Sequence, residues 1–154
     1  MIKLKAAEDI KIMKEGGEIL AKILRRLSQE VKPGITTNHL EKLSCELISS
    51  YKVKSSFLGF DGYPAVLCTS INDEIVHAVP SDRVLKEGDL LKIDMGVLHK
   101  DFHTDSAITV LVGQKDKVIH TTPLNGVSPQ VLISVTKEAL NIGISKAKVG
   151  NTLG

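Results

Sequence analysis

The sequence predicts an α+β fold: two N-terminal helices, an antiparallel sheet with hairpins and a C-terminal helix. Three observations predict it. Apolar residues at helical spacing fill the first third of the chain, short apolar runs broken by Gly, Pro, Asn and Asp fill the middle, and a Ser-Pro helix start opens the last part. With 154 residues, 42% of them hydrophobic, the chain can bury one substantial core, and 1–154 is expected to be a single domain.

Ile10, Met13, Gly17, Leu20, Leu24, Leu27 and Val31 step by three and four, which places them on one stripe of a long amphipathic helix. Lys32-Pro33-Gly34 stops it. Thr36 or Thr37 then offers a hydroxyl cap to a second helix, with Leu40, Leu43, Leu47 and Tyr51 as its buried positions. Strands are expected over 64–70, 74–79, 89–97 and 103–112. Ser128-Pro129 caps a third helix that Leu132, Val135, Ala139 and Ile142 continue. Lys148-Val-Gly-Asn-Thr-Leu153 echoes Lys32-Pro-Gly-Ile-Thr-Thr37, as either the start of a repeated helix pair or a frayed polar end.

A net charge of +2, with acids and bases interspersed, gives no field that calls for nucleic acid or an anionic membrane. Cys45 and Cys68 are too few for a disulfide framework and are expected to be reduced. The charged start leaves no apolar stretch long enough for a secretion signal, and no membrane-spanning run is visible.

Asp94 interrupts the apolar run Leu90-Leu-Lys-Ile-Asp-Met-Gly-Val97, and Asp105 follows in Phe102-His-Thr-Asp-Ser-Ala-Ile-Thr-Val-Leu-Val112. A hairpin turning at His99-Lys100 would set 94 directly opposite 105, with Cβ atoms about 4.5–5.5 Å apart. Like charges that close are destabilising unless a cation lies between them, and paired carboxylates are suitable oxygen ligands for divalent metals. The competing reading makes one aspartate a turn cap and leaves the other in water. Asp101, His103 and Asp105 alternate, so they would share a strand face, where a His-x-Asp pair could ligate zinc or simply be solvated.

His77 lies among apolar residues just before Pro80. It reads either as a rim histidine able to exchange a hydrogen bond with a reacting amide, or as a core histidine bonded to backbone. His39, near a helix terminus, and His120, in a loop, carry no expected role. Phe57, Phe60 and Tyr63 are three of the chain's five aromatic residues, interleaved with Gly59 and Gly62. Such a cluster could line an apolar side-chain pocket or plug the core.

Together these segments resemble the type I methionine aminopeptidases, in order and wording, across essentially the whole chain. Lys32-Pro-Gly-Ile-Thr-Thr37 is similar to that family's inter-helix turn, and Gly59-Phe-Asp-Gly-Tyr-Pro64 to its pocket loop. Ser70-Ile-Asn-Asp-Glu-Ile-Val-His-Ala-Val-Pro80 resembles the strand bearing its substrate-contacting histidine, with Ala78 where glycine is usual. The most specific signal is Ile93-Asp94 followed, eleven residues after the aspartate, by Asp105 in Asp-Ser-Ala-Ile-Thr-Val.

The resemblance implies half of a pita-bread fold and a site for two divalent metal ions, whether cobalt, manganese, iron or zinc. It implies hydrolytic removal of N-terminal methionine from new polypeptides in the cytoplasm. By carry-over Asp94 would hold one metal, Asp105 would bridge both, and His77 would contact the scissile amide. Phe57, Phe60, Tyr63 and Cys68 would line the methionine pocket, the two phenylalanines standing where the family more often shows Cys and Tyr. The family's remaining ligands, one His and two Glu, have no match before Gly154. The chain is therefore expected to be a truncated or split N-terminal half with little or no activity alone, whose partners are N-terminal Met peptides and a complementing C-terminal half. Two other readings are an Xaa-Pro peptidase relative, against which the His77 segment and the pocket loop argue, and a non-catalytic peptide- or protein-binding module of the same fold.

Overall fold

The first apolar stripe forms helix α1, Ala7–Glu30, in the computed structural model, which describes residues 4–113 and 127–152. Its N-terminus is closed by the Asp9 carboxylate, which accepts from the Ala6 amide at 2.8 Å and sits favourably at the positive end of the helix dipole. Leu20, Leu24 and Leu27 are buried as expected, but Ile10 is exposed, and the buried set gains Ile23 and Gly16 in place of Gly17. A seven-residue spacing drifts by about 20° per repeat on a straight helix, so a stripe centred at Leu24 rotates out of the core by Ile10.

The Lys32-Pro33-Gly34 stop leads to α2, Thr37–Ser50, whose cap is Thr36: its hydroxyl accepts from the His39 amide at 3.2 Å. Thr37, Leu40, Ser44 and Ile48 face inward, Leu43 and Leu47 flank them half-buried, and Tyr51 is exposed at the end of the helix. His39 pairs with Glu30 of α1 at 3.3 Å. Cys45 is exposed, Cys68 buried, and both are free thiols.

The sheet is built on one central strand. Lys54–Ser55 (β1) and Leu67–Ile71 (β2) pair in line along one edge of Leu90–His99 (β3), and Phe102–Leu111 (β4) pairs along the other, every pairing antiparallel. The segment 56–66 is thus an excursion out of a line of pairing that resumes at Leu67↔Met95. Leu91, Ile93, Met95 and Val97 of β3 point to the α1–α2 side and form the core with Leu20, Ile23, Leu27 and Leu40. Gly16 lets α1 lie close on the hairpin, since a Cβ there would stand 3.3 Å from His99 Cβ and 3.4 Å from Thr104 Cγ2.

Two expectations fail here. The segment 74–79 is irregular chain and not a strand, because Asn72 takes a left-handed φ of 55° that turns the backbone out of β2. Its apolar pair stays in the open, Ile75 being 84% and Val76 60% exposed. The hairpin turns at Lys100-Asp101, one residue later than expected, with φ of 47° and 69° in the range of a type I′ turn. Glu15 of α1 holds that tip by accepting from Lys100 Nζ at 2.9 Å and lies 3.3 Å from His99 Nε2.

The chain divides into two compact units, Met1–Lys115 and Asp116–Gly154. In the second, Pro129–Lys146 forms α3, with Ser128 Oγ accepting from the Val131 amide at 3.3 Å and Pro129 in the first turn. Gly34 and Gly150, the matched positions of the sequence echo, share a φ of 92°. His120 lies outside the described residues.

Candidate active site

On the side of β3 away from α1 and α2, the even-numbered residues Lys92, Asp94 and Gly96 form a row. The expected register would have set Asp94 opposite Asp105. In the structure Asp94 pairs with Ala107, and Asp105 with Gly96. The displacement is two residues, and side chains alternate with a period of two, so both carboxylates still leave the same face as diagonal neighbours. They lie close enough for the charge of one to act on the other. Burial, then the charge of Asp105, holds the Asp94 carboxyl above its ordinary range, while His77 and the Met95 amide act in the opposite direction.

The excursion 56–66 crosses this face directly over Gly96. The Ser56 amide donates to Gly96 O at 3.0 Å, and a Cβ on Gly96 would stand 2.8 Å from Ser56 Cβ and 2.9 Å from Phe57 Cε1. Ser56 Oγ lies 2.9 Å from Nδ1 of His103, which ties the loop to β4. His103 therefore serves the loop, is exposed, and does not line the cavity. Gly96→Ala is expected to push Ser56 and Phe57 off the strand and to cost about 1–3 kcal/mol, the range of overpacking a tight contact, measured by urea unfolding.

Between the loop and the sheet lies a cavity of about 520 Å³, to which Phe57, Phe60, Tyr63, Cys68, His77, Asp94 and Asp105 all contribute. These seven are the residues to which the family resemblance assigns roles; Asp101 and His103, the other candidates of the hairpin, are not among the lining residues, and Asp61, Gly62 and Pro64 complete the wall. Cys68 stands directly across from Asp94 in the β2–β3 register, and burial pushes its thiol above the usual range. Tyr63 donates its hydroxyl toward Leu67 O at 3.0 Å and Ala78 O at 3.3 Å, and burial raises its phenol too. His77 enters the cavity from the irregular 72–79 loop in a left-handed conformation, φ 60°, uncommon for a residue with a side chain.

One support of the wall was not legible in the sequence. Glu41 of α2 reaches the start of β2, where its carboxylate accepts from the Val66 amide at 2.9 and 3.2 Å, and desolvation there raises its pKa. Nothing in the helical pattern marks Glu41 apart from an ordinary solvated acid; only the sheet beneath α2 gives it amides to hold.

Two adjacent carboxylates of this kind fit a divalent cation as hard oxygen donors, and their mutual repulsion is what such an ion would relieve. They supply part of a shell of about four to six ligands. Among the described residues no group of three or more His, Cys, Asp or Glu side chains is placed to hold an ion.

The cavity thus brings together two carboxylates, a histidine and apolar walls, residue types that metal-assisted hydrolases also use. The chain belongs to metallopeptidase family M24, whose model matches residues 11–154. It is 38% identical over 155 aligned positions to the methionine aminopeptidase of Mycoplasma capricolum, a match that takes in all of this chain and 58% of that relative. The fold agrees with crystal structures of methionine aminopeptidases from Rickettsia prowazekii (TM-score 0.83, 33% identity) and Thermotoga maritima (TM-score 0.82, 34% identity). Those alignments cover 94% and 96% of this chain but 54% and 55% of the solved ones. The architecture is thus α+β, and it is the part of a pita-bread fold that corresponds to slightly over half the length of the relatives it matches.

Proposed function

We propose that this chain supplies the first half of a methionine aminopeptidase site, acting on the N-terminal methionine of new polypeptides in the cytoplasm. What supports the reading is convergence: residues scattered from Phe57 to Asp105 meet in one cavity, at the positions where the resemblance assigns them roles. Asp94 and Asp105 would hold divalent cations, which would supply Lewis acidity toward a carbonyl and toward water. Phe57, Phe60, Tyr63 and Cys68 accept the methionine side chain as an apolar wall. His77, which also lines the cavity, donates to or accepts from the scissile amide.

The remaining ligands are assigned to a C-terminal half of the kind found in the longer relatives. This chain by itself is therefore expected to release no methionine from a Met-Ala-Ser peptide with cobalt or manganese present, and measurable turnover would refute that.

Calorimetry with manganese tests the metal assignment and separates it from a non-catalytic binding module. Heat of binding that is present in the native chain and absent in Asp105→Asn supports the peptidase reading. No binding in the native chain favours the module.

None of the described helices is long and apolar enough to cross a membrane.

A further inference from the structure

Next to the row that carries Asp94 lies a second cross-strand row on the same face of the sheet, made of Ser70 and Lys92. One pleat away from a carboxylate, a lysine ordinarily turns toward it. Lys92 does not: its ammonium donates to the backbone carbonyls of Asn72, at 2.8 Å, and Glu74. Two carbonyls aimed at one point repel each other, and a compact three-donor cation is suited to bring them together.

Those carbonyls belong to the start of the loop that ends in His77. The rest of the loop is fastened on the same side. The Ala78 amide donates to Ser70 Oγ at 3.3 Å, and Ala78 O accepts from the Thr69 amide at 2.9 Å. The Asn72 side chain bridges Asp89 and the Leu90 amide at 3.0 and 2.9 Å, and Glu74 accepts from the Ile71 amide and from Arg83. Between these fastenings Ile75 and Val76 project into the open, and His77 holds a left-handed backbone. An apolar burial term is thus missing where one would be needed to hold the loop. A left-handed histidine persists only where its surroundings over-determine it.

We propose that Lys92 is a positioning residue for His77: by drawing the carbonyls of Asn72 and Glu74 onto the sheet face it fixes the turn that aims the imidazole into the cavity. The importance of His77 rests on the proposed function. The clamp does not, because it can be read without metal or peptide.

The test is amide hydrogen exchange and carbon chemical shifts by NMR on the metal-free chain, native against Lys92→Met. The Thr69 amide, which donates to the loop, is expected to exchange about tenfold faster, and the His77 Cα and Cβ shifts to move off left-handed values. Ile93 and Met95 at the centre of the sheet should change by less than about twofold. Unchanged Thr69 exchange and His77 shifts would overturn the proposal. So would an equal acceleration at Ile93 and Met95, which would make Lys92 a general support of the sheet. If the methionine variant does not fold, Lys92→Gln is read in the same way, and failure of both to fold also counts against a specific clamp. Manganese calorimetry on the same variant keeps the two readings apart: the clamp can fail while the aspartates bind, and the aspartates can fail while the clamp holds.

Discussion

Ile93→Ala is expected to lower the free energy of unfolding by about 2–5 kcal/mol, the range for truncating a fully buried aliphatic side chain. Ile93 is 0% exposed, lies between Thr69 and Ile108 at the centre of the sheet, and faces the α1–α2 side. Single domains are typically stable by about 5–15 kcal/mol, so the loss is a large share of the total. Ile93→Val, which removes one methyl group, should cost about 0.5–1.5 kcal/mol. Urea titrations of both variants check this, with the midpoint falling and the slope unchanged. The consequence reaches the site, because β3 carries Ile93 on one face and Asp94 on the other.

Asp94→Asn is expected to change stability in opposite directions with and without a divalent cation. In the metal-free chain the half-buried carboxyl has a raised pKa, caused first by burial and then by Asp105. A group whose pKa is higher folded than unfolded stabilises fully below its unfolded value and loses that contribution as pH rises through its folded value. The native chain should therefore weaken as pH rises from below the ordinary aspartate range to above it, and the asparagine variant should lack that part of the slope. Solvent reaches this group, so the gain at neutral pH is held to less than about 1 kcal/mol. With manganese the order reverses. The native chain gains about 1.4 kcal/mol for each tenfold excess of ion over its dissociation constant, while Asp94→Asn gains none. Thermal melts in chelator and in manganese, at several pH values, read both halves of this prediction.

Both predictions depend on a face assignment that the sequence carried better than it carried the register. The apolar alternation Leu91, Ile93, Met95 and Val97 marks the core side of β3, so Asp94 had to point the other way. The turn was harder to place. Neither Lys100 nor Asp101 is glycine or asparagine, yet both take positive φ, and the contacts that Glu15 makes with Lys100 and His99 come from a helix more than eighty residues away in sequence. Because a one-residue error in the turn shifts the partner by two, the carboxylates kept their common face although their pairing was wrong.

The 74–79 segment failed for a different reason. Ile75 and Val76 have strand composition, but β composition reports a surface fit to be half-buried, and at this place the chain has already turned off the sheet at Asn72. In the sequence Gly96 is simply one residue of the apolar run 90–97. Its function, leaving room for Ser56 and Phe57, follows from a loop crossing that local pattern does not encode.

The measurement that bears most directly on this account is paramagnetic broadening by manganese on the ¹⁵N-labelled chain. A dilute manganese addition should erase the amide signals around Asp94, Asp105, Cys68 and His77 first, leave those of Glu15 and Lys100 at the hairpin tip intact, and have no local effect on Asp105→Asn. Broadening centred elsewhere, or the same pattern in the asparagine variant, would mean that these two strands do not present their aspartates to a common ion.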